Sequence, residues 1–251
     1  MPIAKDCFVF RCKLRGSACF LGGKAMGGYE GGIRVPTIFR WPGVIPPNTE
    51  ISTATSQMDF LPTIAAAVGA DVPSDRLLDG VDILPMLTGK NTQLIPHEFM
   101  FHYCGTEMHA VRWTESSRKF SVCYITLPAR QSNCLFSDKI WKVHYETPQW
   151  LEGTQGCGFA CSCFGDHVIV QDPPLLFNIV TDPGENRPCT KSDPCADENY
   201  DDVIAHVNRA AAEFKSTLTE VENQYTWNKY VTRPWIQPCC NFPYCSCSEE
   251  T

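Results

Sequence analysis

The sequence predicts an α/β chain whose second half is a small antiparallel sheet with a helix on one face. Two observations carry this reading. Between Glu98 and Ile179 the apolar residues fall into short strand-like runs bounded by turn residues. From about Asp201 to Leu218 the period becomes helical, with Val203, Ile204, Val207, Ala211, Phe214 and Leu218 along one side. Strands followed by a covering helix form a two-layer unit.

Residues 1–20 show neither period and read as a poorly ordered leader. Gly22 to Gly32 holds six glycines around Lys24, Tyr29 and Glu30. Ile33–Val35 and Thr37–Trp41 read as short extended pieces, punctuated by Pro36 and Pro42. A helix follows, with Asp59 as N-cap and Pro62 in its first turn. Leu61, Ile64, Ala65 and Val68 form its apolar stripe, and Gly69 ends it. Asp79 to Leu87 predicts a short helical turn. The strand candidates are Phe99/Phe101, Ala110–Trp113, Ile140–Tyr145, Val168–Val170 and Leu175–Ile179. In Ile140–Tyr145 the bulky Trp141, Val143 and Tyr145 alternate with Lys142 and His144, the pattern of a one-sided strand. Asp182–Glu185 reads as a turn, and 188–197 as a loop.

Composition narrows the class. A length of 251 residues fits one large domain or one and a half small ones. With 43% hydrophobic and 20% charged residues the chain can bury a core. Its net charge of −7, with no basic stripe, argues against nucleic acid as a partner. No apolar run approaches the roughly 18 residues of a transmembrane helix. Cysteine is the unusual number, at 15, which predicts disulfides and the secretory route. No signal peptide opens the chain, because Arg11, Lys13 and Arg15 interrupt the first apolar run. The expectation is therefore that the true N-terminus lies outside this chain.

Several motifs invite chemistry. Gly22-Gly23-Lys24 is not a phosphate loop, since Ala25 follows the lysine and no glycine precedes Gly23 by five positions. Two readings stay open: a tight glycine loop that aims Lys24 at an anion, or a surface turn with a solvated lysine. His97-Glu98 with His102 is not a zinc-protease motif. Its histidines are five apart in a strand-like segment, where zinc needs them at i and i+4 of a helix. The groups Cys157, Cys161, Cys163 and Cys239, Cys240, Cys245, Cys247 fit disulfide staples better than zinc. Glu30 with Arg34 reads as an ion pair bracing the glycine turn.

The run from Gly22 to Pro36, with Phe39-Arg40-Trp41-Pro42-Gly43, resembles the second signature of the arylsulfatases. Met58 to Thr63 and Asp79 to Asp82 continue the match. Phe101–Cys104, Ala110–Trp113, Asp172–Phe177 and Trp235 with Cys239-Cys240 are similar to the steryl-sulfatase branch. The resemblance covers about 22–113 and 140–247. It implies the C-terminal part of an alkaline-phosphatase-like α/β sulfatase fold. Residues 21–95 would end the catalytic domain. Residues 96–251 would form the antiparallel subdomain with a disulfide-rich tail, interrupted by 114–139. That stretch, like 1–20, departs from the family, and is either genuine or a gene-model error.

The implied chemistry is hydrolysis of aryl or steroid sulfate esters, with Lys24 binding an oxygen of the sulfate. The family's nucleophile is a formylglycine made from cysteine in a C-x-P-x-R motif, which no cysteine of this chain begins. Its calcium ligands and remaining catalytic groups precede the position of Lys24 and find no match in residues 1–20. The resemblance therefore implies calcium only in the complete enzyme and an inactive chain in isolation. It pairs Cys104 with Cys163 and Cys157 with Cys161, and expects two staples among Cys239, Cys240, Cys245 and Cys247. It places the protein in the endoplasmic reticulum, lysosome or extracellular space. The competing reading is a non-catalytic secreted module, stapled by disulfides and binding a partner through its sheet.

Overall fold

A computed structural model describes residues 27–92, 94–115, 139–150, 165–193, 195 and 199–219, and the backbone alone of 123–126 and 131–132. Lys24 and cysteines 157, 161, 163, 239, 240, 245 and 247 lie outside these residues, as does the leader 1–20. The chain divides into two compact units after Ala212. The described part of the second is the last turn of a helix, where Ser216 Oγ donates to the Glu213 carbonyl and Thr217 Oγ1 to that of Phe214. All that follows concerns the first unit.

The centre of that unit is a four-stranded antiparallel sheet. Counting from the N-terminus, the chain has β1 (Thr49–Glu50), β2 (Phe99–Cys104), β3 (Glu107–Thr114), β4 (Cys123–Thr126), β5 (Gln131–Ser132), β6 (Ile140–Pro148) and β7 (Val168–Asn178). The main sheet runs β2-β3-β6-β7. β7 joins two segments that the sequence separates, since Pro173 and Pro174 interrupt the apolar run. Prolines donate no ladder hydrogen bond, and an edge strand tolerates them. The register shifts here: His144 faces Leu175, but Glu146 faces Val170. Residues 171–174 bulge out between the two pairings. β1, β4 and β5 pair into a second, three-stranded sheet, of which β4 and β5 lie in the stretch 114–139 that departs from the family.

The helices are α1 (Glu30–Ile33), α2 (Phe60–Val68), α3 (Leu84–Leu87) and α4 (Tyr200–Thr217). α4 buries Val203, Val207 and Ala211, the middle of the expected stripe. His206 of α4 packs on Phe99 of β2 and Trp113 of β3, with ring centroids 5.6 and 4.4 Å away. Tyr145 of β6 donates to Asn208 Oδ1 at 2.8 Å. Those contacts place α4 on the sheet face made by Phe99, Phe101, Val111, Trp113, Trp141, Val143 and Leu176.

Residues 33–41 differ from their extended reading. Glu30–Ile33 forms a single helical turn, closed by the Arg34 N–H on the Glu30 carbonyl at 2.8 Å. Thr37–Trp41 joins no sheet. Pro36 and Pro42 flank it and lack the donors a strand would use.

At α2 the cap also differs. Ser56 caps the preceding 3₁₀ turn, and Asp59 serves as the acidic partner of a capping box. Its buried carboxylate accepts from the Ser56 and Val81 N–H groups at 2.7 and 2.9 Å, and lies 2.8 Å from His97 Nε2. Gly80 is required at this crossing, since a Cβ there would collide with the Met58 carbonyl. Gly69 ends α2 in the left-handed region at φ 70°, as expected. The buried face of α2 is Pro62, Thr63 and Ala65. Leu61, Ile64 and Val68 are 52%, 61% and 72% exposed, so most of the apolar stripe faces outward. Ile83, Met86 and Leu87 build a separate apolar cluster with Phe39, Ile45, Ile51 and Leu94.

Candidate functional site

Gly27 to Glu30, the described start of the glycine-rich segment, lies on the sheet face opposite α4. Gly28 is the closest approach, where an added Cβ would meet the Ala110 Cβ at 2.5 Å. Gly27 sits at φ 64°, a conformation that favours glycine, with His109 against it. The two glycines let the backbone cross β3 in contact. Tyr29 follows, buried, its ring stacked on His144 of β6 at 4.5 Å.

Glu30 enters the sheet face. Its Oε1 accepts from Lys142 Nζ at 3.0 Å and from Arg112 Nη1 at 3.3 Å. Arg112 and Lys142 are direct cross-strand partners in the β3–β6 register. Two cations facing each other repel, and a carboxylate between them reverses the sign. Arg34 reaches Glu30 Oε2 at 3.7 Å, so the expected Glu30–Arg34 pair exists. It is the outer and longest of the three contacts.

A second carboxylate closes the cluster from the turn after β7. Glu185 Oε2 accepts from the Glu30 backbone N–H at 2.6 Å. Its Oε1 lies 3.1 Å from Lys142 Nζ and 2.7 Å from His144 Nε2. The turn is built by Asn178 and Asp182. Asn178 Oδ1 accepts from the Val180 N–H at 3.0 Å, and the Glu185 N–H donates to the Asp182 carbonyl at 3.1 Å. Glu185 is held at φ 52°, a conformation that strains a residue with a side chain. Glu30, Lys142, His144 and Glu185 are all buried.

The electrostatics follow from this packing. Burial alone would push the Glu30 carboxyl up, but Lys142, Arg112 and Arg34 outweigh it and hold it below its ordinary value. Burial pushes the imidazoles of His102 and His144 down, His102 to about 3. Lys142 and Arg112 push His102 further in the same direction. Burial, followed by the Glu185 charge, pushes the Tyr29 hydroxyl up. Two carboxylates thus face Lys142 and Arg112 while the histidines and the tyrosine stay neutral. With neutral His144, the short contact makes Nε2–H the donor to Glu185.

The arrangement holds backbone in place and offers no metal site. Among the described residues no cluster of three or more His, Cys, Asp or Glu side chains could hold a metal ion. No calcium site is therefore seen among the described residues. His97 is engaged with Asp59, and His102 lies under the charge cluster, so the two are not joint ligands. No described helix is long and apolar enough to cross a membrane.

Cys189 and Cys195 form a disulfide, unanticipated in the loop after the Glu185 turn. The Cys189 N–H donates to the Leu176 carbonyl at 2.7 Å, so this stapled loop covers part of the β7 edge. Cys104, at the end of β2, is also disulfide-bonded.

A sequence reading catches Glu30 and Arg34 but misses Arg112, Lys142, His144 and Glu185 as members of one cluster. The available signal is weak: two basic residues at alternate positions of a strand otherwise built of large apolar groups.

A family model described as the C-terminal region of aryl-sulfatase matches residues 95–247. A second, described as N-sulphoglucosamine sulphohydrolase, C-terminal, matches residues 24–122. The chain is similar to arylsulfatase D of Homo sapiens, 43% identical over 235 residues, which cover 92% of this chain and 36% of that protein. It is 41% identical over 235 residues to arylsulfatase H of Homo sapiens, covering 92% of this chain and 38% of the relative. Steryl-sulfatase of Homo sapiens is 40% identical over 232 residues, covering 91% and 36%. The chain thus spans little more than a third of the length of these relatives.

Proposed function

The chain belongs to the aryl-sulfatase family, and from that premise we propose that it is the C-terminal part of an enzyme that hydrolyses sulfate esters of the aryl or steroid type. Lys24 binds the sulfate. The observation that carries this reading is the burial of the Gly27–Glu30 segment on the sheet. Lys24 is three residues upstream of Gly27, so its Cα lies within about 11 Å of a fixed point of the backbone. A lysine there presents a compact positive charge, suited to a tetrahedral anion. A charge-assisted hydrogen bond to a sulfate oxygen contributes roughly 1.5–3 kcal/mol and strengthens as charge develops on the leaving oxygen.

The nucleophile and the calcium ion belong to other parts of the full-length protein in this reading. No C-x-P-x-R motif occurs in these residues, and no metal cluster is found among those described. The chain alone is therefore inactive. Residues 21–95 end the catalytic domain, and 96–251 form the antiparallel subdomain. The two separate apolar clusters support that division, one around Ile83 and one around Ile140, Phe177 and Ile179. Disulfides and family membership support a place in the secretory pathway.

The test uses the full-length protein with an aryl sulfate as substrate. Lys24→Ala is expected to lower kcat by about 10²-fold, the usual loss on removing one transition-state donor. An unchanged kcat removes the role assigned to Lys24. Calcium-dependent turnover by the 251-residue chain alone would contradict the assignment of the chemistry to other parts of the protein.

A further inference from the structure

Gly28, Tyr29 and Glu30 are buried on the sheet, but the chain leaves it at once: residues 33–38 are all exposed. This stretch is a short strap laid across β3 and β6. We propose that it is an acid-released latch: protons taken up by His102 and His144, the two histidines beneath it, lift Gly27–Glu30 off the sheet while the strands stay paired.

The fastening is mostly electrostatic. The Glu30 N–H donates to Glu185 Oε2 at 2.6 Å, and the Glu30 carboxylate accepts from Lys142 and Arg112. Arg34 reaches the same carboxylate at 3.7 Å. Tyr29 rests its ring on His144, with Trp150 tilted beside it. Gly28 has no side chain to anchor it, and the Cβ atoms of Ala110 and His102 lie close under its backbone. A strap held by charges is sensitive to a change of charge underneath.

Both histidines are shut in. His102 of β2 faces Lys142 and His144 of β6, Arg112 of β3 and Glu30 of the strap. Its Nε2 is buried, with no hydrogen-bond partner among the described residues. A proton there would join two cations whose carboxylate, Glu30, already accepts from both. His144 faces Tyr29, Lys142, Glu30 and Glu185. Its Nε2 bonds to Glu185, and its Nδ1 is buried with no partner among the described residues. Protonation at Nδ1 would create a buried donor with no acceptor. Lifting the strap admits water to both rings and returns them to the ordinary histidine value near 6.5. The open form then binds protons that the closed form refuses. Acid favours opening by up to about 10-fold per pH unit below 6.5 for each histidine. Glu30, held low by its cations, acts in the same direction only near the ordinary carboxylate value of 4.5. The strands have their own support, in the β3–β6 ladder and in α4 on the other face. Local opening is therefore available without global unfolding.

The experiment is hydrogen exchange of the full-length protein at pH 6.5, 5.5 and 4.5, read by mass spectrometry and corrected for the intrinsic rate at each pH. The opening constant of a peptide covering Gly27–Ile33 is expected to exceed that of Ile140–Tyr145 throughout. From pH 6.5 to 4.5 it is expected to rise about 50-fold for one histidine and further for both. His102→Gln keeps a polar side chain and cannot take the proton, so it is expected to cut that rise by about 10-fold or more. Glu185→Gln unfastens the strap without acid, and is expected to raise its opening constant at least 10-fold at pH 7.5. Exchange of both peptides through one common opening, or a strap opening that does not rise in acid, overturns the inference. A His102→Gln profile as steep as that of the parent overturns it as well. If His102→Gln does not fold, His102→Leu takes its place, and the parent profile decides by itself.

Discussion

Glu30, Lys142 and Glu185 lose water on all sides, and their mutual contacts must offset a desolvation cost of several kcal/mol per ion. His102 shows what happens without such pairing. His102 has Glu30, Lys142, Arg112 and His144 around it, and its Nε2 is buried with no hydrogen-bond partner among the described residues. It stays neutral, its value pushed from 6.5 to about 3 by burial first and Lys142 second. His144 is shifted in the same direction by burial, against the pull of its bond to Glu185. A histidine depressed in the folded state binds its proton more readily when unfolded. Stability from these two groups is therefore complete above about pH 6.5 and falls as pH drops below it. Each contributes a slope of up to about 1.4 kcal/mol per pH unit. Glu30 adds little above about pH 5, because a depressed carboxyl begins to lose its contribution only as pH falls to the ordinary carboxylate value near 4.5. Urea unfolding at pH 7.5, 6.5, 5.5 and 4.5 is expected to show falling stability from 6.5 downward. His102→Leu is expected to remove about one proton from that slope, and an unaltered slope would show that His102 does not stay neutral when folded.

At the scale of elements, what the sequence makes legible is local and what it hides is long-range. The strands and α4 are legible because each declares a period within a few residues. The buried face of β6 is not. Alternation of Trp141 and Val143 with Lys142 and His144 predicts a wet side, yet both sides are covered. The cover comes from Glu30, 112 positions away, and Glu185, whose turn is readable but whose charge is not tied to any local pattern. The cap of α2 fails for a local reason: Ser56 and Asp59 share one box, and an acidic residue next to a helix reads as the cap itself. The end of β2 carries a prediction of the same long-range kind. Cys104 is disulfide-bonded, and family resemblance gives Cys163 as its partner. That bridge would close a loop of about 60 residues and stabilise by roughly 4 kcal/mol at most in the chain-entropy account. Peptide mapping under non-reducing conditions is expected to recover Cys104 joined to Cys163. Recovery of Cys104 joined to any other cysteine refutes the pairing.

Across the whole chain, the distribution of burial sets an order of stability. β6 is central, paired with β3 on one side and β7 on the other, and Trp141, Lys142, Val143 and His144 are buried on both faces. α4 buries Val203, Val207 and Ala211 on that sheet. Opening either element exposes several large apolar groups at about 1.5–3 kcal/mol each. α2 is the contrast. It has nine residues, and Leu61, Ile64 and Val68 are more than half exposed. What holds it is Thr63 Oγ1 accepting from the Ile83 N–H at 3.0 Å, the Asp59 bonds and the small buried face. Short helices without tertiary burial are marginal in water. Native-state hydrogen exchange of the 251-residue chain is therefore expected to be slow in Ile140–Tyr145 and Val203–Ala211 and fast in Leu61–Val68. If residues 21–95 end a catalytic domain, the apolar stripe of α2 finds its cover in the full-length protein. Exchange at Leu61–Val68 is then expected to slow there by an order of magnitude or more, while β6 changes little, since its cover is already complete. Slow exchange at α2 in the isolated chain, with β6 the faster element, would place the stable core before residue 96 and overturn the proposed division of the chain.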